Sequence, residues 1–319
     1  MTQPLTMVRH ARTYLQYRRS LGFALRGHGR LVMQFARFLD RGHRDRPLTI
    51  DLMLRWVNAN AAHSPSYRAS RLTAVRCFTR YLATHDDRIP VPSARLLSVR
   101  IRRCRPHIYS PVQLEQLLSA AGRLDPHFAL RPLTFQTLLG LIAATGLRIS
   151  EAIRLHRTEV DLERGLLQIT QTKFKKSRLV PMHPTTTLAL RHYRNMRDKR
   201  WGVQPERPFF LDATGRPLPA RSIQCVFRKL CEGLGWQRGN GELPKPRIHD
   251  LRHSFACRRL LLWHRDGQDI GHRIAALTTY LGHGKVRDTY WYLTGTPELL
   301  AIAGDRFGRF VGLAEGSTP

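Results

Sequence analysis

Apolar residues recur at helical spacing through the first hundred or so positions. Val8, Ala11, Tyr14 and Leu15 form one stripe, and Leu31, Phe35, Phe38 and Leu39 form a second. Ile50, Met53, Leu54 and Val57 make a third, and Leu72, Val75, Phe78 and Leu82 a fourth. Residues three and four apart share one side of an α-helix, so each stripe predicts an amphipathic helix with a face to bury. Helices of this number and length make a small all-helical domain, expected over residues 1–99. Arginine and histidine crowd the polar faces. Any one such arginine is ordinarily a solvated side chain; as a set they point to phosphate contact.

The period breaks between Arg100 and Ser110. Arg100, Arg102, Arg103 and Arg105 stand there with one proline and little apolar pattern. Residues 100–110 therefore read as an extended basic linker, of a kind that can lie across DNA. Ser110–Pro111 then opens a helix, with serine as cap and proline at the first position.

From residue 111 to 319 the pattern is mixed. Helices are expected over Leu133–Thr145, stopped by Gly146, and from Ser150–Glu151 through Leu155. Others are expected over Thr186–Trp201, Ser222–Glu232, His249–Arg265 and Arg273–Leu281. Leu166–Lys173 and Arg178–Pro181 are strand-like and joined by a lysine-rich turn, and Phe209–Leu211 reads as a short strand before a turn at Gly215. The expectation is a mainly α chain: a helical N-terminal domain, then an α+β domain with one small antiparallel sheet. Phe307 to Leu313 is apolar enough to pack.

Charge narrows the partner. Among 319 residues, 53 are Lys or Arg and 23 are Asp or Glu, a formal net charge of +30. An excess this large, spread along the whole chain, favours a polyanion, because each neutralised phosphate releases counterions. It disfavours small acidic substrates as the sole partner. A membrane-surface role needs a basic amphipathic helix or a lipid anchor, and neither stands out. Five cysteines, an odd number without a CxxC pair, argue against a disulfide framework or a cysteine-rich zinc site and fit a reducing cytosol. The first twenty residues carry Arg9, Arg12, Arg18 and Arg19 without an apolar core, unlike a signal peptide. The best apolar run, Leu138–Leu147, is too short to cross a bilayer. A soluble cytoplasmic protein is expected.

Cutting a phosphodiester without a metal needs a nucleophile, cationic forks on the non-bridging oxygens and a proton for the leaving 5′ oxygen. Arginine suits the fork, being planar, permanently charged and bidentate, and it acts by electrostatic preorganisation. Such a set occurs in order here. Ala144–Thr–Gly–Leu–Arg–Ile–Ser–Glu151 places Arg148 on a turn between helices. Thr170–Gln–Thr–Lys–Phe–Lys–Lys–Ser–Arg–Leu–Val–Pro181 is a hairpin with Lys173 entering its turn. His249–Asp–Leu–Arg–His253 puts His249 and Arg252 on one helix face. Leu281–Gly–His283 follows, and Tyr292 lies nine positions beyond His283.

These motifs resemble those of the tyrosine recombinase, or phage integrase, family over roughly Ser110 to Tyr292. The first region resembles that family's core-binding domain only in size, position and character. The resemblance implies that Arg148, Lys173, His249, Arg252, His283 and Tyr292 are catalytic. It selects Lys173 over Lys175 and Lys176, which then read as turn charges on DNA, and Tyr292 over Tyr280 and Tyr290. Tyr290 and Tyr292, two apart, point about 200° away from each other on a helix, so only one can face a given pocket. The resemblance further implies a C-shaped clamp on double-stranded DNA, a 3′-phosphotyrosine intermediate, no cofactor, no metal and no ATP. Pairwise cutting implies a homotetramer, or a heteromer with related recombinases, on two DNA sites. On this reading Lys173 protonates the leaving oxygen, His249 assists the Tyr292 proton and His283 binds a phosphate oxygen.

Rival readings exist. A type IB topoisomerase uses the same chemistry as a monomer, and a DNA-binding accessory protein could carry a silent set. His249 and His253 have the i,i+4 spacing of a zinc pair. Against zinc, Asp250 stands where that motif has Glu, no third ligand is evident, and Arg252 would bring positive charge to the ion.

Overall fold

The computed structural model describes residues 6–43, 46–97, 105–125, 130–170, 177–236, 245–294 and 298–301, with 304 and 308. The chain divides into two compact units, Met1–Arg103 and Cys104–Pro319. It is mostly helical, with one small antiparallel sheet.

The first unit is built on α1 (Met7–Ser20), α2 (Arg26–Gly42), α3 (Ile50–Val57) and α4 (Pro65–Leu82). Local sequence sets three of their starts. The side chains of Thr6, Thr49 and Ser64 accept the N–H of Arg9, Leu52 and Tyr67, each satisfying a donor that the helix leaves free. The apolar stripes meet in one core, where Val32, Phe35, Met53, Val57, Val75 and Phe78 are fully buried. Arg71 covers Trp56, its guanidinium 3.6 Å from the ring centroid.

The second unit runs α5 (Pro111–Gly122), α6 (Arg131–Thr145), α7 (Ile149–Ala152), β1 (Val160–Asp161), β2 (Leu166–Ile169), β3 (Arg178–Pro181), α8 (Pro184–Trp201), α9 (Ala220–Gly233), α10 (Ile248–Arg265), α11 (Ile270–Leu281) and α12 (Arg287–Tyr290). A 3₁₀ turn, Trp291–Thr294, follows. Ser110 and Gln113 form a reciprocal cap on α5. The strands pair antiparallel in the order β1-β2-β3, with Leu167 opposite both Val160 and Val180. The larger core gathers Leu138, Leu139 and Ile142 of α6 around Leu117, Tyr193, Ile223 and Leu251. A second cluster packs Ala256, Cys257 and Leu260 of α10 against Ile274, Leu277 and Leu281 of α11, and includes Tyr292. Helix α10 thus belongs to both clusters.

Some elements differ from expectation. Phe209–Leu211 joins no ladder of the sheet; only single bridges, His156 to Pro208 and Leu211 to Pro217, flank it. Its apolar residues serve as a core loop, with Phe209 and Phe210 fully buried, a role that a short apolar run fills as readily as strand. The β2 ladder covers Leu166–Ile169, and residues 171–176 lie outside the described residues. Helix α11 begins at Ile270, capped by Asp269, three residues before Arg273. Tyr109, within the expected linker stretch, is buried; its N–H bonds to Ser254 Oγ at 2.8 Å and its hydroxyl to the Arg247 carbonyl at 3.2 Å. Among the described residues no helix is long and apolar enough to cross a membrane.

Candidate active site

Helix α6 ends where Gly146 takes a φ of 63°, its N–H returning to the Ile142 carbonyl at 2.9 Å. This reversal sets Arg148 just ahead of α7. Three residues on, the Glu151 carboxylate accepts the Arg148 backbone N–H at 3.0 Å and Arg148 Nη1 at 2.7 Å. From β3, Arg178 Nη2 reaches the same carboxylate at 2.9 Å. Burial alone would raise the pKa of Glu151; hydrogen bonding and charge from Arg178, and then Arg148, prevail and hold it at about 2. The outcome is an ionised, buried carboxylate clasped by two guanidiniums. Arg148 keeps its outer side open, 28% exposed, while Nη2 donates to the Gly282 carbonyl at 3.1 Å.

Arg252, on α10, is 1% exposed. Its Nη1 donates to the Gly146 carbonyl at 2.8 Å, and its Nη2 to the Leu281 carbonyl at 2.7 Å and to His283 Nε2 at 2.9 Å. The side chain therefore closes the C-terminal ends of both α6 and α11, where orphan carbonyls and the negative end of the helix dipole favour a cation. Helix α11 stops at Gly282, φ 67°, where a Cβ would come within 2.7 Å of Arg178 Nη1. The N–H of His283 returns to the Thr278 carbonyl at 3.0 Å. The backbone of His283 thus closes the helix, and its ring faces Arg252.

The three tyrosines separate. Tyr290 is 50% exposed, Tyr280 stacks on Phe255, and Tyr292 is 3% exposed. Tyr292 Oη lies 3.4 Å from His283 Nε2, and the two rings stack at 5.7 Å. Burial raises the phenol's pKa, while the charges of Arg252 and Arg148 oppose the rise by favouring the phenolate. His253 stands edge-on to Tyr292 at 5.1 Å and to His249 at 5.0 Å. Burial and then neighbouring His249 push His253 down to about 4; burial and then Arg252 and Arg148 do the same to His283. His249 opens to solvent, yet surrounding protein and Arg252 still lower its pKa.

Arg148, Arg252, His283 and Tyr292 are therefore brought together, with His249 beyond His253. Lys173, Lys175, Lys176, Arg100, Arg102 and Arg103 lie outside the described residues. Arg105 is described and exposed, four residues before the anchored Tyr109. Among the described residues no group of three His, Cys, Asp or Glu side chains could hold a metal. Asp250 instead receives the Arg247 N–H and guanidinium at 2.9 and 2.7 Å, capping α10. Sequence reasoning assigned no role to Glu151 or Arg178, although Glu151 stands at the third helical position after Arg148, an acidic capping signal.

A model of the phage integrase family matches residues 109–298. A Sinorhizobium fredii protein named as an integrase/recombinase, y4rB, is 40% identical over 301 residues, covering 93% of this chain and 95% of its own. Tyrosine recombinase XerC of Chlamydia trachomatis serovar D is 31% identical over 232 residues, covering 72% and 67%. Among solved structures, the Tn1549 transposon integrase in complex with transposon right end DNA shares the fold at a TM-score of 0.67, with 16% identity over 95% of this chain and 100% of that one. XerH bound to palindromic difH substrate gives 0.64, with 16% identity over 96% and 86%.

Proposed function

Because this chain belongs to the phage integrase family of tyrosine recombinases, we propose that it cuts and rejoins double-stranded DNA at specific sites through Tyr292. The observation that carries this reading is the meeting of a buried phenol, a neutral imidazole and an arginine fork in one chain: Tyr292 against His283, and His283 against Arg252. Arg148, with its outer side open, completes the fork. Two guanidiniums grip the non-bridging oxygens of a scissile phosphate and stabilise the charge that builds there. Tyr292 Oη attacks phosphorus and the bond to the 5′ oxygen breaks, leaving a 3′-phosphotyrosine. Attack by a 5′-hydroxyl from another strand reverses the step. The ester keeps the bond energy, so neither ATP nor a metal is required.

Two protons must move. The leaving 5′ oxygen takes one from Lys173, by the family motif. Tyr292 loses the other, and its nearest hydrogen-bonding ring nitrogen is His283 Nε2, at 3.4 Å. As the resemblance implies, His249, at the solvent edge, assists the transfer of the tyrosine proton, and His283, turned to Arg252, contacts a phosphate oxygen. The low basicity of His283 in the free chain follows from burial and the two guanidiniums; a phosphate bound between them cancels that field and raises it. Subunits working in pairs, as a homotetramer or with related recombinases, would exchange strands between two sites. Arg100, Arg102, Arg103, Arg105, Lys175 and Lys176 would hold backbone phosphates.

The test uses duplexes selected from random sequence by binding to the chain, then nicked so that the short piece released with a free 5′-hydroxyl diffuses away. The unaltered chain and Tyr290→Phe should form a complex that survives denaturation, and Tyr292→Phe should bind but form none. A complex formed by Tyr292→Phe and lost in Tyr290→Phe would move the nucleophile. Joining of two selected duplexes separates recombination from simple relaxation of DNA.

A further inference from the structure

Consecutive carbonyls at the end of α11 each receive a different arginine. Tyr280 takes Arg178 Nε at 2.7 Å, Leu281 takes Arg252 Nη2 at 2.7 Å, and Gly282 takes Arg148 Nη2 at 3.1 Å. Arg252 and Arg148 belong to the fork, whereas Arg178, from β3, has no step in the reaction. Its side chain is 9% exposed against 28% for Arg148, so it is poorly placed to touch DNA itself. Its remaining edge turns to Glu151, with Nη1 3.3 Å from Oε1 and Nη2 2.9 Å from Oε2. Arg148 takes the other half of the same carboxylate, Nη1 on Oε1 at 2.7 Å and its backbone N–H on Oε2 at 3.0 Å. An ionised carboxylate offers about four lone-pair positions, and these donors fill them.

Charge follows the same pattern. Glu151 and Arg148 alone make a neutral pair, and a carboxylate competes with a phosphate oxygen for the same guanidinium. Arg178 brings a second cation to one anion, so the trio keeps a net positive charge, and only Arg148 presents it outward. Arg252 acts on Glu151 from α10, and Arg154, His156 and Glu159 border a cleft with it. We propose that Arg178 is a positioning residue for Arg148: it shares the Glu151 carboxylate, so that Glu151 orients the Arg148 guanidinium without cancelling the charge turned to the scissile phosphate. This rests on the reading of Arg148 as part of the phosphate fork and Tyr292 as nucleophile. Without Arg178, Glu151 has two courses. It stays ionised and draws Arg148 onto both oxygens, or it takes up a proton, because burial is then less opposed. The first withdraws charge from the phosphate, and the second slackens the hold on Arg148.

The experiment compares covalent complex formation on the nicked duplex when the scissile phosphate is intact and when either non-bridging oxygen is replaced by methyl. A methylphosphonate carries no charge, so the isomer lacking the oxygen held by Arg148 no longer needs that guanidinium. Arg148→Ala identifies this isomer. Arg178→Met should be about a hundredfold slow on ordinary phosphate and should regain most of that loss on the same isomer. Arg178→Lys keeps a charge against Glu151 and should be slowed far less. Equal slowing of Arg178→Met on phosphate and on both isomers would assign its effect to packing and overturn the proposal. An unchanged rate, or an equal loss in Arg178→Lys, would overturn it too. A second measurement does not depend on cutting: spectra of the full chain with ¹³C-labelled glutamate, Glu151 being identified by its loss in Glu151→Gln. The titration of Glu151 should move to higher pH in Arg178→Met, and an unmoved titration would overturn the sharing of the carboxylate. If the unaltered chain forms no covalent complex, or neither isomer rescues Arg148→Ala, the reading of nucleophile and fork fails, while the spectra still decide the clasp.

Discussion

His253 lies between His249 and Tyr292 with its Nδ1 buried and without a hydrogen-bond partner among the described residues. That position makes the neutral ring tolerable and the charged ring costly. Its folded pKa, about 4, lies below the ordinary 6.5, and His283 behaves alike. A base depressed by folding binds fewer protons folded than unfolded, so its contribution to stability is present above pH 6.5 and is lost as pH falls toward 4. Each such ring accounts for a loss of up to about 2 kcal/mol between pH 7 and 5. His253→Phe keeps an aromatic ring and removes the titration. Urea unfolding at both pH values should show that the acid-side loss shrinks by about that amount; an unchanged difference would mean that His253 already titrates normally.

Helix ends, more than helix faces, assemble the site. The ends of α6 and α11 meet over α10, and Arg252 ties them through the carbonyls of Gly146 and Leu281. Gly146 is doubly constrained: φ is 63°, and a Cβ would lie 2.5 Å from Phe255 Cδ1. Gly146→Ala should cost about 1–2 kcal/mol from the backbone alone, more from the clash, and should slow covalent complex formation by displacing an acceptor of Arg252. Gly165 has a similar φ of 66° but only ordinary contact distances around a Cβ, the nearest 3.4 Å, and it sits in the turn between β1 and β2. Gly165→Ala should cost a comparable backbone strain while leaving the cutting rate intact. Equal slowing in both would show that lost stability, rather than the displaced carbonyl, is responsible.

Across the whole chain, the excess of 30 positive charges has too few acidic partners to be neutralised internally. The few buried ion pairs, such as Glu151 with Arg148 and Arg178, use only a small part of it. Most of the cations are therefore left to solvent or to a polyanionic partner. Binding to DNA should weaken about a thousandfold or more between roughly 50 and 200 mM salt, as six or more phosphate contacts require. Filter binding across that range checks it, and a nearly flat response would remove the argument from charge.

The sequence by itself determined the helical stripes of the first unit, the Ser110 cap, the stop at Gly146, and the ordered set from Arg148 to Tyr292. These are local: they depend on residues three or four apart, on single caps, or on a short motif. It also limited the choice between Tyr290 and Tyr292 to one, since neighbours two apart cannot share a pocket. Only the tertiary structure turned Tyr292 inward and left Tyr290 exposed. It alone joined Arg252 to carbonyls 106 and 29 residues away, clasped Glu151 with Arg178 from a strand, and set Thr289 behind His283. It also made Phe209 and Phe210 a core loop rather than a strand. The reason is that hydrogen-bond direction and burial depend on atoms supplied by distant segments. No period along the chain records which of them will meet, or which will bring the proton.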